Sequence, residues 1–363
     1  MKPVATMLSF RLGGTDGVSV EAEKWSGALA HLGFEPARIA GDIPGATRAG
    51  DVVLPWLAID ATTAPDPDEL ARALSGSGIV VVENLCSLPL NLPAAQAAAT
   101  VLAAHADDGG RVVFHHHDLA WQRSTTAHLR GFPPALDALH VTINELSRVE
   151  LADRGIEAVV IRNCFDLDAE PGDRDSTRRA LGFGPEELVV LHPARAIPRK
   201  NVPAALRFAE RLDRRVDGLS GRRPSRYWLT GPAEDGYGAT LDSLLAAARV
   251  PCSVGLAPRP ADAYAAADVI AFPSTWEGCG NPGVESVVAR RPLAVASYPV
   301  LDEIEALGFR FFSVDDPDPL VRWLDHPDDA GFTHNRAVAN RHCSLTDLPA
   351  RLGAALATRG WTW

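Results

Sequence analysis

At 363 residues, with 46% apolar and 22% charged side chains, the chain has the make-up of a folded protein and enough material for two ordinary domains. A formal net charge of −11 argues against a general nucleic-acid binder or an anionic membrane surface as the main partner. No stretch reaches the roughly 18 apolar residues that would span a bilayer, and Met1–Leu12 is too short an apolar run for a signal sequence, so a cytoplasmic protein is expected.

Taken from the N-terminus, Val4–Phe10 reads as a strand that exits into Arg11–Ser19 (RLGGTDGVS). There Gly13 and Gly14 allow close backbone approach to a ligand, and Asp16 or Ser19 suits a helix cap. The spacing lacks the G-x-G-x-x-G fingerprint, so Glu35 gains no support as a ribose ligand and an oxidoreductase is disfavoured. Val18, Ala22, Trp25, Leu29 and Leu32 then recur at helical spacing. Further strands are expected at Ile79–Val82, Val112–Phe114, Leu139–Ile143 and Val159–Ile161, with a helix over Leu92–Ala104. Apolar runs without strict alternation point to parallel sheets covered on both faces.

His115, His116 and His117 end one of these strands and precede Asp118 and Trp121. Alternation puts His115 and His117 on one face and His116 on the other, and three adjacent histidines converge poorly on a metal. The polar segment Asp166–Arg178 is the best linker. A second α/β series follows, with strands at Leu188–His192, Tyr227–Thr230, Cys252–Gly255, Val269–Phe272 and Leu293–Ala296. A last helix is expected over Leu345–Ala357.

Two loops of this second half carry the chemistry. His192–Asn201 (HPARAIPRKN) leaves a strand and offers Arg195 and Lys200 to a diphosphate. Phe272–Glu285 (FPSTWEGCGNPGVE) turns through Gly278 and Gly280 into a helix, with Asn281 as a suitable N-cap and Pro282 at the first helical position. Glu277 and Glu285 flank that turn. Asp66-Pro-Asp68 and Asp316-Pro-Asp318 resemble metal triplets but each heads a helical pattern, where capping explains them. The basic run Arg211–Arg226, containing Arg214, Arg215, Arg222 and Arg223 beside Asp213 and Asp217, reads as a solvated helix end. Five scattered cysteines, Cys86, Cys164, Cys252, Cys279 and Cys343, fit a reduced compartment and no zinc site.

Together these segments resemble the retaining GT-B glycosyltransferases of the family-four type, along nearly the whole chain. The likeness rests on Gly13 and Gly14, His117-Asp118, Arg195 with Lys200, and the E-x7-E pair Glu277 and Glu285; Cys279 stands where the family usually has an aromatic. It implies two Rossmann-like domains facing across a cleft: residues 1–168 on the acceptor side, 169–344 on the donor side, and 345–363 packing back on the first. It implies that Arg195 and Lys200 hold the donor diphosphate and that Gly14 borders it. Glu277 and the backbone of Gly278, Cys279, Gly280 and Asn281 would bind the transferred sugar, and Glu285 the ribose. His117 would lie near the reacting carbon, and Leu256–Arg259 would line the base pocket. The expected activity is transfer of a hexose from a UDP- or GDP-linked donor to a small polar acceptor, with no cofactor, metal or nucleic acid. Acidic Glu21 and Glu23 disfavour membrane association, and a homo-oligomer stays open. Two other readings remain at this stage, a GT-B-fold epimerase and an idle sugar-nucleotide-binding subunit. The segments Thr15–Ser19 and Glu83–Pro89 depart from the usual family pattern and are expected to face the acceptor.

Overall fold

The computed structural model describes residues 2–45, 48–216 and 224–361. It divides into two compact units, residues 1–164 with 345–363, and residues 165–344. The first unit holds seven strands: β1 (Val4–Arg11), β2 (Glu35–Asp42), β3 (Val52–Val53), β4 (Ser77–Glu83), β5 (Val112–His116), β6 (Leu139–Thr142) and β7 (Ala158–Val160). They form one sheet in the order β3-β2-β1-β4-β5-β6-β7, all pairs parallel. The second unit adds β8 (Leu188–His192), β9 (Ser225–Leu229), β10 (Cys252–Val254), β11 (Val269–Phe272), β12 (Leu293–Val295) and β13 (Phe312–Ser313). Their parallel sheet runs β10-β9-β8-β11-β12-β13.

Both sheets are doubly wound, so each reverses direction once: between β1 and β4 in the first, between β8 and β11 in the second. The strand residues account for this burial on two sides. In the first sheet Met7 and Val81 pack under Trp25 and Leu29 of helix Gly17–His31, whereas Leu8, Val80 and Val82 join Trp56, Leu102 and Phe114 on the opposite face. Leu348, Leu352 and Leu356 of helix Leu348–Ala357 complete the Trp25 layer, so the terminal helix belongs to the first unit. In the second sheet Tyr227, Leu229 and Val190 meet Phe208 and Leu212 of helix Val202–Val216.

Three short or polar strands escape the sequence pattern. In β2, Arg38 is buried only because Asp51 grips it through two hydrogen bonds of 2.9 and 2.6 Å. β3 and β13 have two residues each. The expected linker is half structural: Asp173 caps helix Arg174–Ala180, and the buried Arg178 donates to the Ala266, Gly184 and Glu187 carbonyls. The triplet Asp66-Pro-Asp68 behaves as a cap, Asp66 accepting from the Glu69 amide. In the basic run, Arg211 donates to the Asp315 carbonyl, Arg215 pairs with Asp318 and Arg226 with Glu187, while Asp217, Arg222 and Arg223 lie outside the described residues.

Two buried histidines set an acid limit on this fold. Burial, and then Arg359, pull His140 down to about 4; burial, and then Lys200, pull His192 down to about 3. Each is folded in its neutral form, so its contribution is complete above the ordinary value of 6.5 and is lost as the pH falls towards the folded value. Between those limits each histidine should cost about 1.4 kcal/mol of stability per pH unit. Urea unfolding at a series of pH values should show that decline below about pH 6.5; a flat stability down to about pH 4.5 would contradict it.

Candidate functional site

Ligands of open α/β sheets bind beyond the carboxyl ends of the strands where the strand order reverses. The residues picked out by sequence lie at or beside these reversals, one in each unit, with His117 following the neighbouring strand β5.

In the second unit, β8 and β11 are neighbours, so their exit loops run side by side. The Thr275 amide donates to the Arg199 carbonyl at 2.9 Å and fastens one loop to the other. The β8 loop closes with a short 3-10 turn, Pro198–Lys200, ended by Asn201 in the left-handed region (φ 54°). This brings Lys200 Nζ to 2.5 Å from Glu277 Oε1, and Arg199 Nη1 to 3.0 Å from Glu277 Oε2. Arg199 also donates to the Trp276 carbonyl at 3.0 Å, and the Lys200 ammonium lies 5.3 Å from the centre of the Phe272 ring. Glu277 is 9% exposed. Burial opposes its ionisation, but the charges of Lys200 and then Arg199 prevail and hold the carboxyl below its ordinary range. Burial likewise lowers Lys200, against the pull of Glu277. Two cations thus share one carboxylate, and the cluster keeps a net positive charge.

The two cations paired from the sequence, Arg195 and Lys200, have different partners in this arrangement. Arg195 is an exposed residue bonded to Glu234 at 2.6 Å, and Arg199 is the second cation on Glu277. Behind Arg195, Gly231 leaves no room: an added Cβ would come within 2.6 Å of the Arg195 Cα.

The turn after Glu277 depends on Gly280, whose φ is +75° and whose added Cβ would fall 2.3 Å from the Tyr298 hydroxyl. Asn281 stands at the N-cap position of helix Pro282–Val288, but its backbone is already helical (φ −43°, ψ −38°) and its side chain makes no capping bond, contrary to expectation. Glu285 lies one turn into that helix. It accepts a 2.5 Å hydrogen bond from the hydroxyl of Tyr264, a buried residue of helix Pro260–Ala266.

In the first unit, β1 exits through Gly13 (φ +77°) and Gly14. Asp16 accepts from the Ser19 amide and hydroxyl and caps the next helix. β4 lies beside β1 and ends at Glu83, which is level with His115 of β5. His115 Nδ1 and His117 Nε2 lie 2.9 and 2.7 Å from the same carboxylate oxygen of Glu83. Asn84, held at φ 59°, accepts through Oδ1 from the amides of His117 and Asp118. On the other face Ser87 bonds His116 Nδ1 at 2.5 Å, and His116 Nε2 bonds His140 at 2.9 Å. Trp121 is occupied by Glu150, to which its indole donates at 2.8 Å.

His115 and His117 therefore share a face, as alternation predicted, and converge with Glu83 while His116 points away. Their ligand atoms and those of Glu83 all lie within 4.8 Å of one another, the right types to hold a metal. A tetrahedral ion about 2.1 Å from each donor would spread them to roughly 3.4 Å. The hydrogen bonds, 2.7 Å from His117 Nε2 to Oε2 and 3.1 Å from His115 Nδ1 to Oε1, are those of shared protons. Glu83, Asn84, Arg199 and Tyr264 were not assigned from the sequence. Only the departure of Glu83–Pro89 from the family pattern signalled two of them, Glu83 and Asn84.

No protein-family model matches the chain. It is 25% identical over 375 residues to mannosylglucosylglycerate synthase of Petrotoga mobilis, covering 85% of this chain and 86% of that one. A D-inositol 3-phosphate glycosyltransferase of Rhodococcus erythropolis is 36% identical over 135 residues, 35% of this chain and 29% of its own. Anabaena HepE, solved in complex with UDP and glucose, superposes with a TM-score of 0.73 at 16% identity, covering 98% of this chain and all of its own. By its fold and these relatives the chain is a glycosyltransferase of the GT-B type.

Proposed function

We propose that the protein is a retaining hexosyltransferase that takes its sugar from a UDP- or GDP-linked donor and delivers it to a hydroxyl of a small polar acceptor, a glycoside of a hydroxy acid. The observation that carries this reading is the Lys200–Glu277–Arg199 cluster at the reversal of the second sheet. A leaving nucleoside diphosphate gains negative charge as the glycosidic bond breaks, and preorganised cations with net positive charge favour that state over the ground state. Glu277, fixed by two cations, presents its carboxylate to hydroxyls of the transferred sugar. Glu285, oriented by Tyr264, accepts from the ribose hydroxyls. Arg195 reaches the diphosphate by exchanging its exposed partner Glu234, and an exposed pair of this kind costs little to break. Gly14 and the Gly278–Asn281 turn let the donor approach the backbone. His117 stands beside the sugar. A diphosphate oxygen takes the acceptor proton on the face from which it leaves, which keeps the anomeric configuration. The hydroxy-acid acceptor is supported by the mannosylglucosylglycerate synthase, whose product name contains one, and a uridine donor by the UDP held in HepE.

Lys200→Ala should lower kcat about a hundredfold, the loss of about 3 kcal/mol in the transition state, with the fold retained. Activity near wild type on a turned-over donor would remove this loop from the reaction. Thermal-shift screening against UDP-, GDP- and ADP-sugars should single out one base, because a donor bound only by the native state raises its stability. With that nucleotide diphosphate, calorimetry on Glu285→Gln should show weaker binding, since an amide offers one good acceptor where a carboxylate offers two. Unchanged affinity would leave Glu285 to its helix alone. Proton NMR of early product should show the donor's configuration retained, and turnover should persist in EDTA because Lys200 and Arg199 supply the charge. An inverted product, or activity restored only by magnesium, would contradict the mechanism.

A further inference from the structure

The segment Glu83–Ser87 addresses all three histidines of the β5 end. Glu83 takes His115 and His117 on one face, Ser87 takes His116 on the other, and Asn84 holds the His117 and Asp118 amides. We propose that Glu83 is a positioning residue for His117: its buried carboxylate accepts the Nε2 proton, fixes the ring, and leaves Nδ1 as the atom that meets the transferred sugar. Only the last clause rests on the proposed transfer reaction.

The geometry leaves His117 little choice. Glu83 is wholly buried, and the 2.7 Å contact requires a proton on Nε2, since an ionised carboxylate can only accept. Among the described residues His117 Nδ1 makes no hydrogen bond, and unlike His115 Nε2 it is not sealed inside the protein. His115 is wedged against Trp25, the ring centres 4.0 Å apart, and serves as the second donor to Glu83.

The charged groups around His117 favour its cationic form. Glu83 faces it from β4, Glu21 from helix Gly17–His31, and Asp118 from its own strand end; Lys24 sits on Glu21 and on the Cys164 carbonyl, and Arg123 on Asp118. Burial disfavours an imidazolium here, but the bond to Glu83 and the carboxylates outweigh it and raise His117 above its ordinary range. His115 is lowered, by burial first, and stays neutral. The His117 imidazolium and the Glu83 carboxylate form a neutral pair. Such a pair donates from Nδ1 to a sugar oxygen without repelling the positive charge that grows on the sugar ring.

The test is a titration of protein labelled with 15N-histidine, with His117 assigned by its loss in His117→Gln. In the wild type, Nε2 should stay protonated throughout while Nδ1 titrates with a midpoint above 6.5. In Glu83→Gln that midpoint should fall by about one pH unit or more. The alkaline limb of kcat should move to lower pH with it, and kcat should drop about tenfold with less change in the donor KM. A wild-type midpoint at or below 6.5, or a Glu83→Gln profile that matches wild type, would overturn the proposal. So would uptake of one zinc ion by the wild type with loss of the Nε2 proton. Should Glu83→Gln fail to fold, the wild-type titration decides alone. Should no nucleotide sugar be turned over, the transfer reading falls while the titration still judges the Glu83–His117 pair.

Discussion

Each sheet reverses its winding once, and that single topological fact decides where this protein can do chemistry. Strands that follow a right-handed crossover are laid down on one side of the first strand, and after the reversal on the other. The loops leaving the two strands at the reversal therefore start side by side and lead to helices on opposite faces of the sheet, which leaves a gap beyond the strand ends. In the second unit those strands are β8 and β11, and the gap is edged by Lys200, Arg199 and Glu277. In the first they are β1 and β4, with Gly13 and Gly14 on one loop and Glu83 ending the other strand.

Both gaps contain a buried carboxylate with two nitrogen donors on it. An isolated buried charge would cost several kcal/mol, so neither Glu277 nor Glu83 is tolerable without its partners. The partners differ in kind. Glu277 is matched by permanent cations and the cluster remains positive, suited to an anion. Glu83 is matched by imidazoles, and its balance changes with pH. One chain thus builds two carboxylate centres of different charge balance from the same topological position.

The sequence made most of the sheets readable because parallel strands covered on both faces must be apolar almost throughout, as Ile79–Val82 and Leu188–His192 are. It failed for β2, whose Arg38 looks like a surface residue until Asp51, thirteen positions later, neutralises it. The glycine turns and Glu277 with Glu285 were legible from local spacing. Arg199 was not, because its neighbour Lys200 bears the same charge and only the 3-10 turn aims both at Glu277. Glu83 and Tyr264 were hidden for a different reason: each acts on a residue far along the chain, and only strand register or helix packing brings them together.

The first unit is discontinuous in sequence, and this bears on the order in which the protein is made. Its Trp25 layer includes Leu348, Leu352, Ala355 and Leu356, which leave the ribosome only after the whole of residues 165–344. Until then helix Gly17–His31 presents an apolar face with nothing across part of it, during the interval in which the second unit is free to fold as one continuous segment. The N-terminal half is thus synthesised first and completed last, and the window of exposed apolar surface lasts as long as translation of its neighbour.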